Sequence, residues 1–274
     1  MTAIVAVHTP EGYILAADGR QIHGASFDDE AVKIYHSSTR NSEVAWACYG
    51  LVSYPAPALN GGYLDAVESL QAVTKDKNLV EHDFSSLEEY AMKLGEFLHF
   101  ALVNYSPVAC YREEYYPGIV FVGNVNGKPE RAKVEIRHSG CQWLNPCLAN
   151  FSAHPCGLAI GYGPEMVLQG MENSEMLYTP KSLDDGEKLA ESYIEICIAN
   201  NQKFDECKGI GGDIHIAAVT PSGFEWKKKW FLARKWKSVR FTRLSEKQRI
   251  RFSWRPAAAL SAAGSSGFGI RVHV

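Results

Sequence analysis

No run of apolar residues in this 274-residue chain approaches the ~20 that a membrane-spanning helix needs. The first residues lack both the basic segment and the long apolar core of a secretory signal, so no such signal is expected. Phosphate-binding loops are missing as well. Gly209-Ile210-Gly211-Gly212 is too short for a Walker loop or a dinucleotide fingerprint. Cysteine is scattered and odd in number, seven in all. That suits reduced thiols rather than a disulfide framework, and it leads us to expect a cytoplasmic protein. His138, Cys141, Cys147, His154 and Cys156 fall within nineteen residues, yet no pair has Cys-x2-Cys or His-x3-His spacing. A loop with buried thiols is expected there, not a metal site. Serine and cysteine nucleophile motifs have no anchor; Ser265-Ser266 is flanked by glycines but sits in a Gly/Ser-rich end that reads as a linker. What remains is a chain with 46% apolar residues, enough for a full core in one large or two small domains.

The informative residue is Thr2. It opens the run Thr2-Ala3-Ile4-Val5-Ala6-Val7, which a turn at Pro10-Glu11-Gly12 joins to Tyr13-Ile14-Leu15-Ala16-Ala17 and Asp18-Gly19-Arg20. Lys33 follows in a third strand-like run, Val32-Lys33-Ile34-Tyr35. Threonine is small enough for Met1 to be removed. Thr2 would then carry a hydroxyl and a free α-amine on one residue, a nucleophile with its own base.

This layout resembles the proteasome β-subunit and the simpler bacterial proteasome-related peptidases, which are N-terminal-nucleophile hydrolases. The resemblance covers roughly residues 2 to 226 and is specific over the first fifty. It implies that Thr2 is the nucleophile, Asp18 the motif aspartate, Arg20 the arginine beside it and Lys33 the active-site lysine. Ala47-Cys48-Tyr49-Gly50-Leu51-Val52 matches the segment that supplies an oxyanion-hole N–H, for which Gly50 is the candidate. Ala159-Ile160-Gly161-Tyr162-Gly163 and the 209–212 glycines resemble two later strand edges. There the chain departs from the pattern. Tyr162 stands where a serine is common, and Ile210 and Cys207 stand closest to a second serine and an aspartate, with Asp205 and Asp213 as possible substitutes. The resemblance further implies cleavage of peptides or unfolded proteins without metal or organic cofactor. It also implies a homo-oligomeric ring, with an ATP-dependent unfoldase as a conceivable partner that nothing in this chain specifies. The alternative that the departures favour is a catalytically degenerate subunit acting as a scaffold or binding protein.

The roles follow from elementary chemistry. An α-amine with a pKa of about 7.7–8.0 is partly neutral near pH 7, and a lysine ammonium beside it lowers that pKa further. Asp18 would hold Lys33 by an ion pair, and Arg20 could support the same carboxylate. A glycine at position 50 lets the backbone approach a substrate closely, where a preorganised N–H stabilises the tetrahedral intermediate. Singly, each residue has an ordinary reading: a frayed Thr, an Asp-Gly turn, a solvated strand lysine, a glycine bend. Their order and spacing together favour the chemistry.

Strands are expected near 2–8, 13–18, 31–36, 43–49, 118–123, 131–136, 157–161, 213–219 and 224–230. Asn126-Gly127 marks a hairpin, and another turn falls at Pro221-Ser222-Gly223. One helix should place Tyr63, Ala66, Val67, Leu70 and Val73 on a face. A second should carry Leu87, Tyr90, Ala91, Leu94, Leu98 and Ala101, opened by a capping box of Ser86 and Glu89. A third spans about 184–200 behind Ser182. The pattern gives α+β; a four-layer αββα sandwich of two antiparallel sheets is what the resemblance implies.

We expect a hydrolase-like domain over 1–225 and a basic extension over 226–274. The extension has thirteen Lys or Arg against Glu246 alone, so it carries +12. With −3 for the whole chain, residues 1–225 carry −15. Trp226, Trp230, Trp236, Phe241 and Trp254 interleave with the cations, a composition that can suit nucleic acid. A solvated strand face or a tail docked on the acidic body accounts for it better, so neither nucleic acid nor membrane is an expected partner.

Overall fold

The computed structural model describes residues 2–23, 26–56, 62–106, 116–139 and 142–228, and the backbone of 251–253 and 271–273. In chain order the strands and helices begin with β1 (Ile4–Thr9), β2 (Gly12–Asp18), β3 (Gln21–His23), β4 (Ser26–Asp28), β5 (Ile34–Ser38), β6 (Ser42–Tyr49), β7 (Ser53–Ala56) and β8 (Gly62–Asp65). Helices α1 (Ala66–Val73), α2 (Lys77–Val80) and α3 (Leu87–Tyr105) follow. Next come β9 (Gly118–Val125), β10 (Lys128–Glu135), β11 (His138–Ser139), β12 (Gln142–Trp143), β13 (Cys147–Leu148), β14 (Ser152–Ala153) and β15 (Leu158–Tyr162). The chain then runs through α4 (Glu165–Asn173), α5 (Leu183–Ala199), β16 (Ile214–Thr220), β17 (Gly223–Lys228), β18 (Arg251–Ser253) and β19 (Arg271–His273).

Two sheets dominate. One has the order β14-β15-β1-β2-β16-β17, the other β13-β10-β9-β6-β5, and every pairing in both is antiparallel. The molecule is therefore α+β with antiparallel sheets. Period-2 alternation explains how the strands divide their side chains. Ile4 and Ala6 of β1, Leu15 and Ala17 of β2, Ala45 and Ala47 of β6, and Val120 and Val122 of β9 meet between the two sheets. The residues between them point the other way. Val5, Val7, Ile14 and Ala16 meet Leu189, Tyr193 and Ile194 of α5, which packs on β1, β2 and β16. Trp46, Ile119 and Phe121 meet Tyr90, Leu94 and Leu98 of α3, which packs on β9 and β10. Strands buried on both faces read as continuous apolar runs, which is why β2 is buried at every position. Each fully buried Ile, Leu or Phe contributes about 1.5–3 kcal/mol.

Local chemistry sets the ends of these elements. Ser86 Oγ accepts from the Glu89 N–H and Ser182 Oγ from the Asp185 N–H, each a side-chain cap on an orphan donor. The expected capping box is only half formed. Glu89 turns back to the Ser85 N–H and hydroxyl instead of to Ser86. Asn126 and Gly127 both have positive φ, at 52° and 79°, the geometry of a two-residue hairpin turn. Three expectations change. Tyr63 lies in β8 and is exposed rather than on the buried face of α1. Lys33 immediately precedes β5 rather than lying within a strand. Helix α4 and the β3–β4 and β7–β8 hairpins were not foreseen.

Strand β17 crosses the expected boundary at 225/226 and pairs Trp226 with Ala217 and Lys228 with Ile216. Trp230, Trp236, Phe241 and Trp254 lie outside the described residues, as do Ser265 and Ser266. Phe224 and Trp226 pack against the cluster between the sheets. A chain ending before residue 224 is therefore expected to lose more than about 5 °C in melting temperature, since about 2 kcal/mol is worth that much in a protein of this size. A chain ending near residue 245 should melt like the full-length protein. A scanning-calorimetry melt of both truncations checks this, and unfolding by the later cut would place the extension within the core.

Candidate active site

Antiparallel pairing of β1 with β2 sets Ile4 opposite Ala17. The start of one strand therefore lies beside the end of the other, and Thr2 comes next to Asp18. The Asp18 N–H donates to Ala3 O at 3.2 Å, and the Ala3 N–H donates to Asp18 Oδ1 at 2.9 Å. Lys33 enters from the residue before β5. Its Nζ donates to Asp18 Oδ1 at 2.8 Å and to Thr2 Oγ1 at 3.2 Å. Asp18 Oδ2 accepts from the Arg20 N–H at 3.3 Å and the Gly211 N–H at 3.1 Å. Asp18 is fully buried and the Lys33 side chain is 11% exposed. A carboxylate this deep is tolerable because four donors surround it, one of them an ammonium. Burial pushes the Lys33 ammonium below the ordinary lysine range, opposed by the Asp18 carboxylate and assisted by the Arg20 charge.

Arg20 does not act as expected. Only its backbone N–H reaches Asp18. Its guanidinium forms a two-pronged pair with Asp29, at 2.5 and 3.0 Å, and lies over the Phe27 ring at 4.5 Å. The physical reason is reach. The side chain turns away along β3 and β4 and covers Gly211, where a Cβ would come within 2.6 Å of the guanidinium carbon. Arg20 thus presses on the loop whose N–H holds Asp18. Asp29 fixes the same loop through its carbonyl, which accepts from the Asp213 N–H at 2.9 Å.

Gly50 follows the end of β6 with φ +80°, and a Cβ there would lie 2.0 Å from the Tyr116 carbonyl oxygen. Only glycine fits. Gly50, Thr2, Arg20 and Lys33 all border one cavity of about 620 Å³. Val32, Tyr35, Cys48, Leu51 and Val52 supply much of its apolar wall. The structure thus brings Thr2, Asp18, Lys33 and Gly50 to one place.

Tyr162, where the resemblance expects a serine, pairs in register with Ile4 and stacks on Tyr49 at 4.3 Å. The Tyr49 hydroxyl donates to Glu135 Oε1 at 2.8 Å. Ile210 and Cys207 are fully buried in the core beneath α5. Asp205 is exposed and faces Lys208 at 3.4 Å on the cavity rim. Sequence reasoning missed Asp29, the Gly211 N–H and the Tyr49–Tyr162 stack. No spacing announces Asp29, because the hairpin that returns it to Arg20 is only three residues per strand.

Among the described residues no group of three His, Cys, Asp or Glu side chains is placed to hold a metal ion. Of the cluster noted in the sequence, Cys141 lies outside the described residues, Cys147 is exposed, and His154 Nδ1 accepts from the Cys156 N–H at 3.2 Å. No described helix is long and apolar enough to cross a membrane.

No protein-family model matches the chain, and no curated protein matches it. Solved structures do. An Anbu protein described as an ancestral β-subunit, from Yersinia bercovieri, aligns with a TM-score of 0.56 at 14% identity over 82% of this chain and 86% of its own. Anbu from Hyphomicrobium sp. strain MC1 aligns with a TM-score of 0.52 at 14% identity, covering 83% and 85%. A Pseudomonas aeruginosa structure described as a helical assembly of the Anbu complex gives 0.52 at 14%, covering 80% and 81%. These likenesses correct the family named from the sequence. The fold is shared with Anbu, and the proteasome-peptidase assignment is set aside. At 14% identity the likeness establishes the fold alone.

Proposed function

We propose that the chain is a threonine-type amide hydrolase acting on peptides. The observation that carries the reading is Lys33 Nζ set between Thr2 Oγ1 at 3.2 Å and Asp18 Oδ1 at 2.8 Å, on the wall of an open cavity. Removal of Met1, which lies outside the described residues, frees the Thr2 α-amine. The amine takes the hydroxyl proton as Oγ1 attacks the substrate carbonyl carbon. The carbonyl π-bond opens, and its electron pair goes to the oxygen, which the Gly50 N–H stabilises. The intermediate collapses, the C–N bond breaks, and the leaving amine departs with the proton held by the Thr2 amine. Water then adds to the Thr2 ester by the same path, releasing the acid and restoring the hydroxyl. Lys33 keeps the amine neutral by disfavouring its protonation and stabilises charge developing on Oγ1; Asp18 holds Lys33. No metal or organic cofactor enters this scheme.

We read the two sheets and their helical covers as a four-layer αββα sandwich, and the active unit as a homo-oligomer. The helical assembly described for the Pseudomonas Anbu complex supports an oligomer. A second reading, a non-catalytic subunit, is favoured by the Tyr49–Tyr162 stack standing where a serine would assist the amine.

Intact-mass spectrometry separates the two. The purified chain should lack Met1 and should gain the mass of one peptidyl β-lactone, carried as an ester on Thr2. Retained Met1, or a processed chain that takes up no adduct, would favour the non-catalytic subunit.

A further inference from the structure

Three stretches of chain meet beside Asp18 at backbone contact. A Cβ on Gly19 would lie 2.6 Å from the Asp213 carbonyl oxygen and 2.9 Å from that of Asp29. The Ala31 N–H donates to Gly19 O at 2.9 Å, and the Asp213 N–H donates to Asp29 O at 2.9 Å. Asp29 therefore sits between the stretch that carries Asp18 and the stretch whose Gly211 N–H donates to Asp18 Oδ2 at 3.1 Å. Its carboxylate adds a second tie. Both oxygens grip Arg20, at 2.5 and 3.0 Å, and the guanidinium lies against Gly211. Asp29 itself does not border the cavity.

We infer that Asp29 is a positioning residue for Thr2, Lys33 and Asp18: it holds the Arg20 guanidinium on Gly211, fixes the Gly211 N–H on Asp18, and offsets a cation that would otherwise bear on Lys33. The Asp29 side chain is 40% exposed and that of Arg20 22%. A pair so open to solvent adds little to stability, so a simple staple of the β3–β4 hairpin would leave the site unchanged when Asp29 is neutralised. A positioning role would not. The charged groups that face Lys33 are Asp18 from β2, Arg20 from the residue before β3 and, once Met1 is removed, the α-amine of Thr2, whose hydroxyl lies 3.2 Å from Nζ. Burial pushes the Lys33 ammonium down, the Asp18 carboxylate opposes this, and the Arg20 charge assists it. Without Asp29 the guanidinium is uncompensated. A nearby cation disfavours protonation, so Lys33 should lose its proton at lower pH.

The inference rests on the threonine-hydrolase reading, but two of its three readouts need no turnover. Full-length parent, Asp29→Asn, Asp29→Glu and the double variant Arg20→Gln with Asp29→Asn are compared. Titration of the Lys33 side chain by 13C NMR should show a midpoint about half a pH unit or more lower in Asp29→Asn. Asp29→Glu should lie near the parent, and the double variant, which lacks both charges, at the parent's value or above. Deuterium exchange over residues 208–213 should speed up in Asp29→Asn, as the Gly211 N–H loses its hold. Hydrolysis of a fluorogenic peptide should fall at least about tenfold in kcat for Asp29→Asn, as misplacement of a reacting group does, and Asp29→Glu should recover part of it. A Lys33 midpoint unmoved by Asp29→Asn, unchanged exchange over 208–213, or parental kcat would each overturn the inference. Failure of the hydrolase reading appears separately, as a parent chain that forms no β-lactone adduct; the midpoint and the exchange rate then still decide what Asp29 positions.

Discussion

Changing Thr2 to alanine is expected to abolish peptide hydrolysis while the melting temperature stays within about 2 °C of the parent. Thr2 precedes β1 and makes no strand pairing of its own. The alanine variant loses the hydroxyl and its 3.2 Å hydrogen bond from Lys33. Lys33 keeps its pair with Asp18 at 2.8 Å, so no buried charge is stranded. The stability change should therefore be that of a surface substitution, while the chemical consequence is complete, because no other hydroxyl of the chain is held against Lys33 Nζ among the described hydrogen bonds. Thr2→Ser keeps both hydroxyl and amine and should retain part of the turnover. A fluorogenic peptide assay beside a calorimetric melt reads both quantities. Full turnover by the alanine variant would remove Thr2 from the chemistry. A large fall in melting temperature would mean that it is a structural residue.

The sequence makes much of the site legible because the site lies at strand ends. Register between β1 and β2 is fixed by alternation, so Thr2 must fall beside Asp18 once the Pro10-Glu11-Gly12 turn is recognised. Gly50 is legible for a related reason: it follows the apolar run Val44–Tyr49 at the end of β6, where the backbone must turn. The pairing of Arg20 with Asp29 was not legible because a side chain's partner depends on the path of the next nine residues, and hairpins as short as β3–β4 leave no periodic signal. The same limit hid α4 and the β7–β8 hairpin. Helices α3 and α5, at nineteen and seventeen residues, show their buried faces over several turns. Helix α4 has nine residues and only two buried ones, Val167 and Met171. The family resemblance failed differently. A nucleophile layout at strand ends can be read from sequence, but at 14% identity the likeness to Anbu lies in topology, which a local motif does not encode.

Lys33→Ala separates catalyst from scaffold. Loss of the ammonium should cost stability, because Asp18 is fully buried. Removing one partner of a buried pair costs about 3–5 kcal/mol. The lower end is expected here, since the N–H groups of Ala3, Arg20 and Gly211 still donate to the carboxylate. Asp18→Ala should cost less, because a lysine already driven below its ordinary range by burial can shed its proton. The double variant should then be more stable than the sum of the single losses predicts, by at least about 1 kcal/mol. Activity answers a different question. A neighbouring cation disfavours protonation of the Thr2 amine, so its loss raises the amine pKa. The neutral, basic form is then reached only at higher pH, and the acid limb of the rate profile should move upward. At pH 7 the combined loss of amine basicity and of charge stabilisation at Oγ1 should reach at least about a hundredfold in kcat/KM, equivalent to about 2.7 kcal/mol of barrier. Urea unfolding of the four chains and a pH–rate profile of the single variant test these expectations. Additive stability changes together with an unshifted profile would make Lys33 an ordinary ion-pair residue, and the protein would then be better read as a subunit that shares the fold without the chemistry.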